Sequence, residues 1–214
     1  MHTAAAPRRT LATRNAAWAH RAAHALARAG ATPDGVSMAG LAIAGATAAA
    51  FALAPAVSDA ARAGLLVCAA AGIQLRLVCN LLDGMLAVEE GLKSPAGEVY
   101  NDLPDRVADV LILAAAGYGI GTPTLGWIAA VCAVLTAYVR VLAGSLRATQ
   151  RFIGPMAKQH RMFTLTIGAI AAAAEARFAL PPRAIVVALA AIAAGSIVTA
   201  VRRTQLLAAE LEAR

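Results

Sequence analysis

The chain has 214 residues, 60% of them hydrophobic and only 14% charged, against about 25% charged in an ordinary soluble domain. That balance excludes a typical water-soluble globule and points to an all-α integral membrane protein. The net charge is +7 and aromatic residues make up 4%; the basic residues cluster beside apolar runs instead of alternating with aromatics, which argues against nucleic acid as a partner.

In chain order, residues 1–35 form a basic arm. Within it, residues 10–30 predict an amphipathic helix lying at the membrane interface. Leu11, Trp18, Ala22, Leu26 and Ala29 share one side, while Arg14, Arg21 and Arg28 recur beside them and Arg8 and Arg9 precede them. A cationic face next to a modest apolar stripe suits the headgroup region; a basic tail without order is the alternative. Apolar runs follow near 36–55, 61–83, 102–121, 124–146, 161–179 and 183–201, each close to the roughly 20 residues needed to span a bilayer. Turn residues separate several of them at Pro55, at Gly121-Thr122-Pro123 and at Pro181-Pro182. A six-helix membrane domain over 36–201 and a tail over 202–214 result. With the arm inside, thirteen Lys and Arg fall on the inner side of these spans and three on the outer side. This asymmetry places both termini in the cytoplasm and the basic clusters against anionic lipid headgroups.

Gly40, Gly45, Gly64, Gly72, Gly168 and Gly195, with abundant alanine, predict close helix contacts in lipid. Cys68, Cys79 and Cys132 are scattered singly through apolar runs, a pattern of packing and not of disulfides or zinc. His20, His24 and His160 have no metal-ligand spacing. No nucleophilic triad and no phosphate-binding glycine loop is recognisable.

Seven of the twelve carboxylates lie between Asp83 and Asp109, around the end of the second run and the start of the third. Glu89 and Glu90 read as a solvated loop. Asp83 and Asp105 border long apolar stretches, where ionisable groups are costly and therefore functional candidates. Asn80 and Asp83 share one helix face; Gly97, Asn101 and Asp105 share another. Oxygen ligands from two helices facing one mouth suit Mg²⁺ or Mn²⁺, and Gly84, Ala87 and Gly97 leave room for a ligand's close approach.

Asn80, Asp83, Gly84, Ala87 and Val88, then eight residues, then Gly97, Asn101 and Asp105 keep the spacing of a known signature, D-x2-D-G-x2-A-R-x8-G-x3-D-x3-D. In this the chain resembles the CDP-alcohol phosphatidyltransferases. Asn80 and Asn101 stand where the family has its first and third aspartates, and Val88 where it has arginine. Thr32-Pro33-Asp34, Tyr138-Val139-Arg140 and the stretch from Gly154 to Arg161 resemble further family features. The resemblance implies a six-helix enzyme of a bacterial inner membrane, usually a homodimer, with its site facing the cytoplasm. It would transfer a phosphatidyl group from a CDP-lipid such as CDP-diacylglycerol to a small alcohol, with release of CMP.

The resemblance also implies roles. Asp105 would be the base that deprotonates the alcohol. Asp83, with Asn80 and Asn101, would hold a divalent metal, one ion of low affinity, because an amide supplies a dipole and no charge. Asp102 lies about 100° around the helix from Asn101; it either lends a replacement carboxylate to a relocated metal, or caps the helix or pairs with Arg106. Gly84, Ala87 and Gly97 would border the CDP-lipid, with Arg76 either on its phosphate or snorkelling to the interface. Arg140, Lys158 and Arg161 resemble a basic pocket for a phosphorylated acceptor, with plain inner-loop charge as the competing explanation. A catalytically degenerate protein that binds CDP-lipid, or partners another lipid enzyme, is the second reading. A transporter is a distant third, since broken helices and internal repeats are not apparent.

Overall fold

A computed structural model describes residues 16–214; Arg8, Arg9, Leu11 and Arg14 of the basic arm lie outside them. Seven α-helices carry the described chain, with no strand among those residues: α1 (Ala17–Arg28), α2 (Pro33–Leu53), α3 (Asp59–Val88), α4 (Gly97–Gly119), α5 (Pro123–Ser145), α6 (Lys158–Arg177) and α7 (Arg183–Glu212).

Local chemistry sets the boundaries. Thr32 caps α2, its hydroxyl accepting from the Gly35 N–H at 3.1 Å, with Pro33 in the first helical position; both satisfy the geometry of a helix start. A single 3-10 turn at Ala54–Ala56 contains Pro55 and separates α2 from α3. Gly91, at φ 71°, takes the left-handed backbone that closes the end of α3. Helix α3, at 30 residues, is about 45 Å long, longer than a hydrocarbon core of about 30 Å. Its last turns, which carry Asn80 and Asp83, therefore reach one end of the bundle.

The six long helices close a ring in the order α2, α3, α6, α7, α5, α4, and α1 packs on the outside of α3. Phe51, Ile73, Ile112, Leu113, Met162, Leu165, Ile185 and Leu189 fill the centre. The outer surface is also apolar: Val131, Phe163, Ile170 and Val187 are each more than half exposed. Such a girdle is foreign to soluble monomers and is what lipid requires. Four helical stretches are long and apolar enough to cross a membrane: Pro33–Ala56, Asp59–Val88, Pro123–Ser145 and Arg183–Glu212. Helices α4 and α6, which are not among these four, carry interior charges at Asp105, Asp109, Lys158 and Arg161; Arg76 and Asp83 of α3 and Arg203 of α7 are buried as well.

Helix α7 continues through Glu212, so the segment after 201 prolongs the last helix, and Arg203 is buried with hydrogen bonds to the carbonyls of Ile153 and Thr136 at 2.9 and 2.8 Å. In α1 the buried residues are Ala19 and Ala23, set on Leu81, Leu82 and Met85, while Trp18 is exposed. Ala22 and Leu26 of the apolar stripe pack partly against the same cluster, and α1 meets α3 mainly through its small residues. Among the glycines, a Cβ on Gly72 or Gly168 would come within 2.2 Å of Thr47 or 2.7 Å of Ala188, but Gly45 and Gly64 face open space.

Backbones also approach closely where α4 meets α2 and α5: a Cβ on Gly119 would lie 2.3 Å from the Phe51 carbonyl oxygen, and one on Gly117 2.7 Å from the Gly126 Cα. Backbone cannot retreat as a side chain can. Gly117→Ala is therefore expected to cost about 1–3 kcal/mol, seen as a lower unfolding temperature in detergent. Gly45→Ala is expected to be neutral or stabilising by up to about 1 kcal/mol.

Candidate active site

Three helices bring their polar residues to one narrow cavity of about 10 Å³, lined by Ser37, Arg76, Asn80, Asp83 and Asp105. Asp83 is 2% exposed. Its Oδ2 accepts from the Ser37 hydroxyl of α2 at 2.7 Å, whereas its Oδ1 is buried without a hydrogen-bond partner. A buried carboxylate oxygen left unsatisfied is expensive, and it lies beside the Asp105 carboxylate.

Asp105 is held from three sides. Arg76 donates from Nη2 to its Oδ1 at 2.8 Å and to its backbone carbonyl at 3.1 Å. The Asn80 amide donates to both carboxylate oxygens at 3.2 Å. The Lys158 ammonium, from the first turn of α6, donates to Asp105 Oδ2 and to Asn80 Oδ1. Asn80 is thus oriented by its neighbours, its NH₂ toward the carboxylate and its oxygen toward the ammonium.

Asp102, Asp105 and Asp109 follow one another at three- and four-residue steps along α4, and cations meet each of them, with Arg76 shared between Asp105 and Asp109. Asp102 accepts from Arg140 at 2.9 and 3.1 Å and from Arg106 at 3.1 Å. Asp109, 1% exposed, accepts from Arg161 at 3.0 Å and lies 3.5 Å from Arg76. Arg161 also donates to the Thr136 hydroxyl and the Met156 carbonyl, tying α6 to α5. Arg76 and Arg161 are themselves only 2% exposed, so this ionic ladder lies inside the bundle.

Of the residues singled out in the sequence, the structure brings together Arg76, Asn80, Asp83, Asp105 and Lys158. Asp102 is not among them. It takes the arginine-pairing alternative, with Arg140 added to Arg106, and does not line the cavity. The half-buried Asn101 side chain makes no hydrogen bond among the described residues. Gly84 and Ala87 are half-buried in the last turns of α3. Gly97 opens α4, where a Cβ would come 3.2 Å from the Ser94 hydroxyl; that hydroxyl in turn donates to Asp34. Arg140, Lys158 and Arg161 do not share a pocket. They go to Asp102, Asp105 and Asp109 in turn, and Arg140 also stacks over Phe152 at 5.5 Å.

Sequence reasoning missed Ser37, whose only signal is a lone hydroxyl in an apolar run. It also gave Asp109 no role, although Asp109 stands on the same stripe as Asp102 and Asp105. Glu89 and Glu90 are not simply solvated: His20 and His24 of α1 lie 3.0 and 3.6 Å from them, latching α1 to the end of α3.

Removing one partner from a buried ion pair strands the other charge and costs about 3–5 kcal/mol, whereas exposed pairs contribute about 0–1 kcal/mol. Asp109→Asn is therefore expected to lower thermal stability sharply. Asp102→Asn, at a side chain 42% exposed, should change it little. Unfolding of the two variants in the same detergent checks the contrast.

No family model matches the sequence, and no curated protein does. Solved structures do match. The phosphatidylinositol phosphate synthase of Mycobacterium tuberculosis in complex with manganese and citrate superposes with a TM-score of 0.73 at 22% identity, covering 88% of this chain and 88% of that one. The same synthase with CDP-DAG bound gives 0.73 at 23% identity, covering 90% and 94%; its apo form gives 0.68 at 23%, covering 86% and 93%. That synthase is a member of the CDP-alcohol phosphatidyltransferase family, the family whose signature the spacing from Asn80 to Asp105 resembles. At this identity the likeness establishes the architecture, and nearly the whole of this chain has the fold of that synthase.

Proposed function

We propose that the chain is a phosphotransferase of the CDP-alcohol phosphatidyltransferase type, moving a phosphatidyl or similarly substituted phosphate group from a CDP-lipid to an alcohol with release of CMP. One observation carries the reading. In this fold, at the family's spacing, Asn80, Asp83 and Asp105 line one cavity, and a buried Asp83 oxygen there has no hydrogen-bond partner. The fold shared with a synthase solved with CDP-DAG supports it. In this reading α2 to α7 span a bacterial inner membrane, α1 lies at its inner interface, both termini and the cavity face the cytoplasm, and two copies pair. The excess of basic residues on that side supports the orientation.

The residues present suit one divalent ion better than two. Mg²⁺ and Mn²⁺ take oxygen ligands, and Asp83 Oδ1 is an anionic oxygen in want of a partner. Among the described residues no three His, Cys, Asp or Glu side chains converge, because positions 80 and 101 are amides. Asp83, with Asn80 and Asn101, would hold the ion, and Asp102 is engaged elsewhere. Such an ion, when bound, offsets charge on the phosphoryl oxygens and the leaving group.

The chain's own residues do the rest. Gly84, Ala87 and Gly97 leave space for the donor at the end of the bundle. Arg76, buried on two carboxylates, orients Asp105 and is not free to reach a phosphate. Asp105 takes the proton of the acceptor hydroxyl; that oxygen bonds to the phosphatidyl phosphorus while the bond from phosphorus to the CMP oxygen breaks. Lys158, its side chain 17% exposed, would meet an anionic acceptor such as an alcohol phosphate; Arg140, on Asp102 and 22% exposed, would contribute charge from outside that pocket, and Arg161 braces Asp109.

The second reading, CDP-lipid binding without turnover, is favoured by the hold on Asp105. A carboxylate that accepts from Arg76, Asn80 and Lys158 together has both oxygens engaged and meets an acceptor hydroxyl only when one of them leaves. CMP release from CDP-diacylglycerol separates the readings. Purified protein with Mg²⁺ or Mn²⁺, tested with glycerol phosphate, inositol phosphate, serine and glycerol, is expected to release CMP with at least one of them. Asp105→Asn should lower the rate by about 100-fold or more. No release with any acceptor, while CDP-diacylglycerol still binds, would support the binder instead.

A further inference from the structure

One side chain beside the cavity residues already does what a metal ion would do. The Lys158 ammonium bridges Asn80 Oδ1 and Asp105 Oδ2, oxygens of two residues that line the cavity together with Asp83 and its unpartnered Oδ1. The formal charges of the inner ladder also balance: Asp83, Asp105 and Asp109 face Arg76, Lys158 and Arg161. With amides at 80 and 101 no anion is left over, so a divalent ion arriving alone would leave two uncompensated positive charges in a poorly hydrated site. The balance is restored if the ammonium swings out or if an anionic diphosphate arrives with the metal.

We propose that Lys158 is an internal counter-cation that competes with the divalent ion for Asn80 and Asp105. The consequence is a site that holds metal poorly by itself and well only when the ammonium is displaced. Once displaced, the ammonium is released toward the mouth, where an anionic acceptor can take it as partner. The inference rests on the metal-binding reading of Asp83 given above, and adds to it which group the metal must evict.

The test is Mn²⁺ binding to the detergent-solubilised full chain without donor lipid, followed by the loss of the free-ion electron paramagnetic resonance signal. Lys158→Gln and Lys158→Met are expected to bind Mn²⁺ at least about tenfold more tightly than the unaltered protein, and Lys158→Arg, which keeps the charge, to stay near it. Lys158→Gln retains a donor for Asp105 and is the variant that best preserves the fold. A second readout needs no substitution, because the chain has two lysines, Lys93 and Lys158. At Mn²⁺ concentrations that occupy the site, an amine-acylating reagent should modify Lys158 several-fold faster relative to exposed Lys93. Equal Mn²⁺ affinity in the Gln and Met variants and the unaltered chain, or Lys158 labelling that metal occupancy leaves unchanged, overturns the proposal while leaving the metal site standing. Failure of every variant to bind Mn²⁺, even with CDP-diacylglycerol present, overturns the metal reading and the competition together.

Discussion

The acid-bearing face of α4 governs the interior of this protein. Asp105 and Asp109 project into an apolar bundle where an unpaired charge would cost several kcal/mol, so cations must reach them from other helices. Arg76 comes from α3, Lys158 and Arg161 from α6. Helices α3 and α4 touch little through their backbones, and it is Arg76 and Asn80 that join them across the cavity. The ring order of the helices and the position of the cavity are two aspects of one electrostatic requirement.

That requirement also shapes the chemistry. An acid that must serve as a base cannot be fully neutralised, and a metal site needs surplus negative charge. In the proposed reaction both demands would meet an interior already balanced by its own cations, with Asn80 and Asn101 where the signature that the spacing resembles has aspartates. The remaining freedom lies in the Asp83 oxygen without a partner and in the one flexible cation of the set, Lys158. Arg76 and Arg161 are locked by several hydrogen bonds or ion pairs each. A lysine is a point charge on a long stem, able to leave without dismantling the helix packing.

Much of the fold was legible because membrane helices announce themselves by length and apolarity, and prolines and glycines mark the turns. The helix ends were less so: α3 runs past Asp83 and α7 past Arg203, since polar residues continue a helix wherever a partner awaits them. In the site, Asn80, Asp83 and Asp105 were readable from spacing alone, because one helix face is a local property. Which cation meets which carboxylate was not. Arg140, Lys158 and Arg161 look alike in sequence as one basic group, and only the ring order sends each to a different aspartate. Ser37 was invisible for the same reason, its partner Asp83 being 46 residues away.

The most direct test of this account is the structure of the protein with CDP-diacylglycerol and Mn²⁺, with anomalous scattering used to locate the metal. The account predicts one Mn²⁺ peak within coordination distance of Asp83 Oδ1, the donor's diphosphate beside it, and the Lys158 ammonium withdrawn from Asn80. CDP-diacylglycerol bound in the cavity with no metal at Asp83, and Lys158 still bridging Asn80 and Asp105, would contradict it.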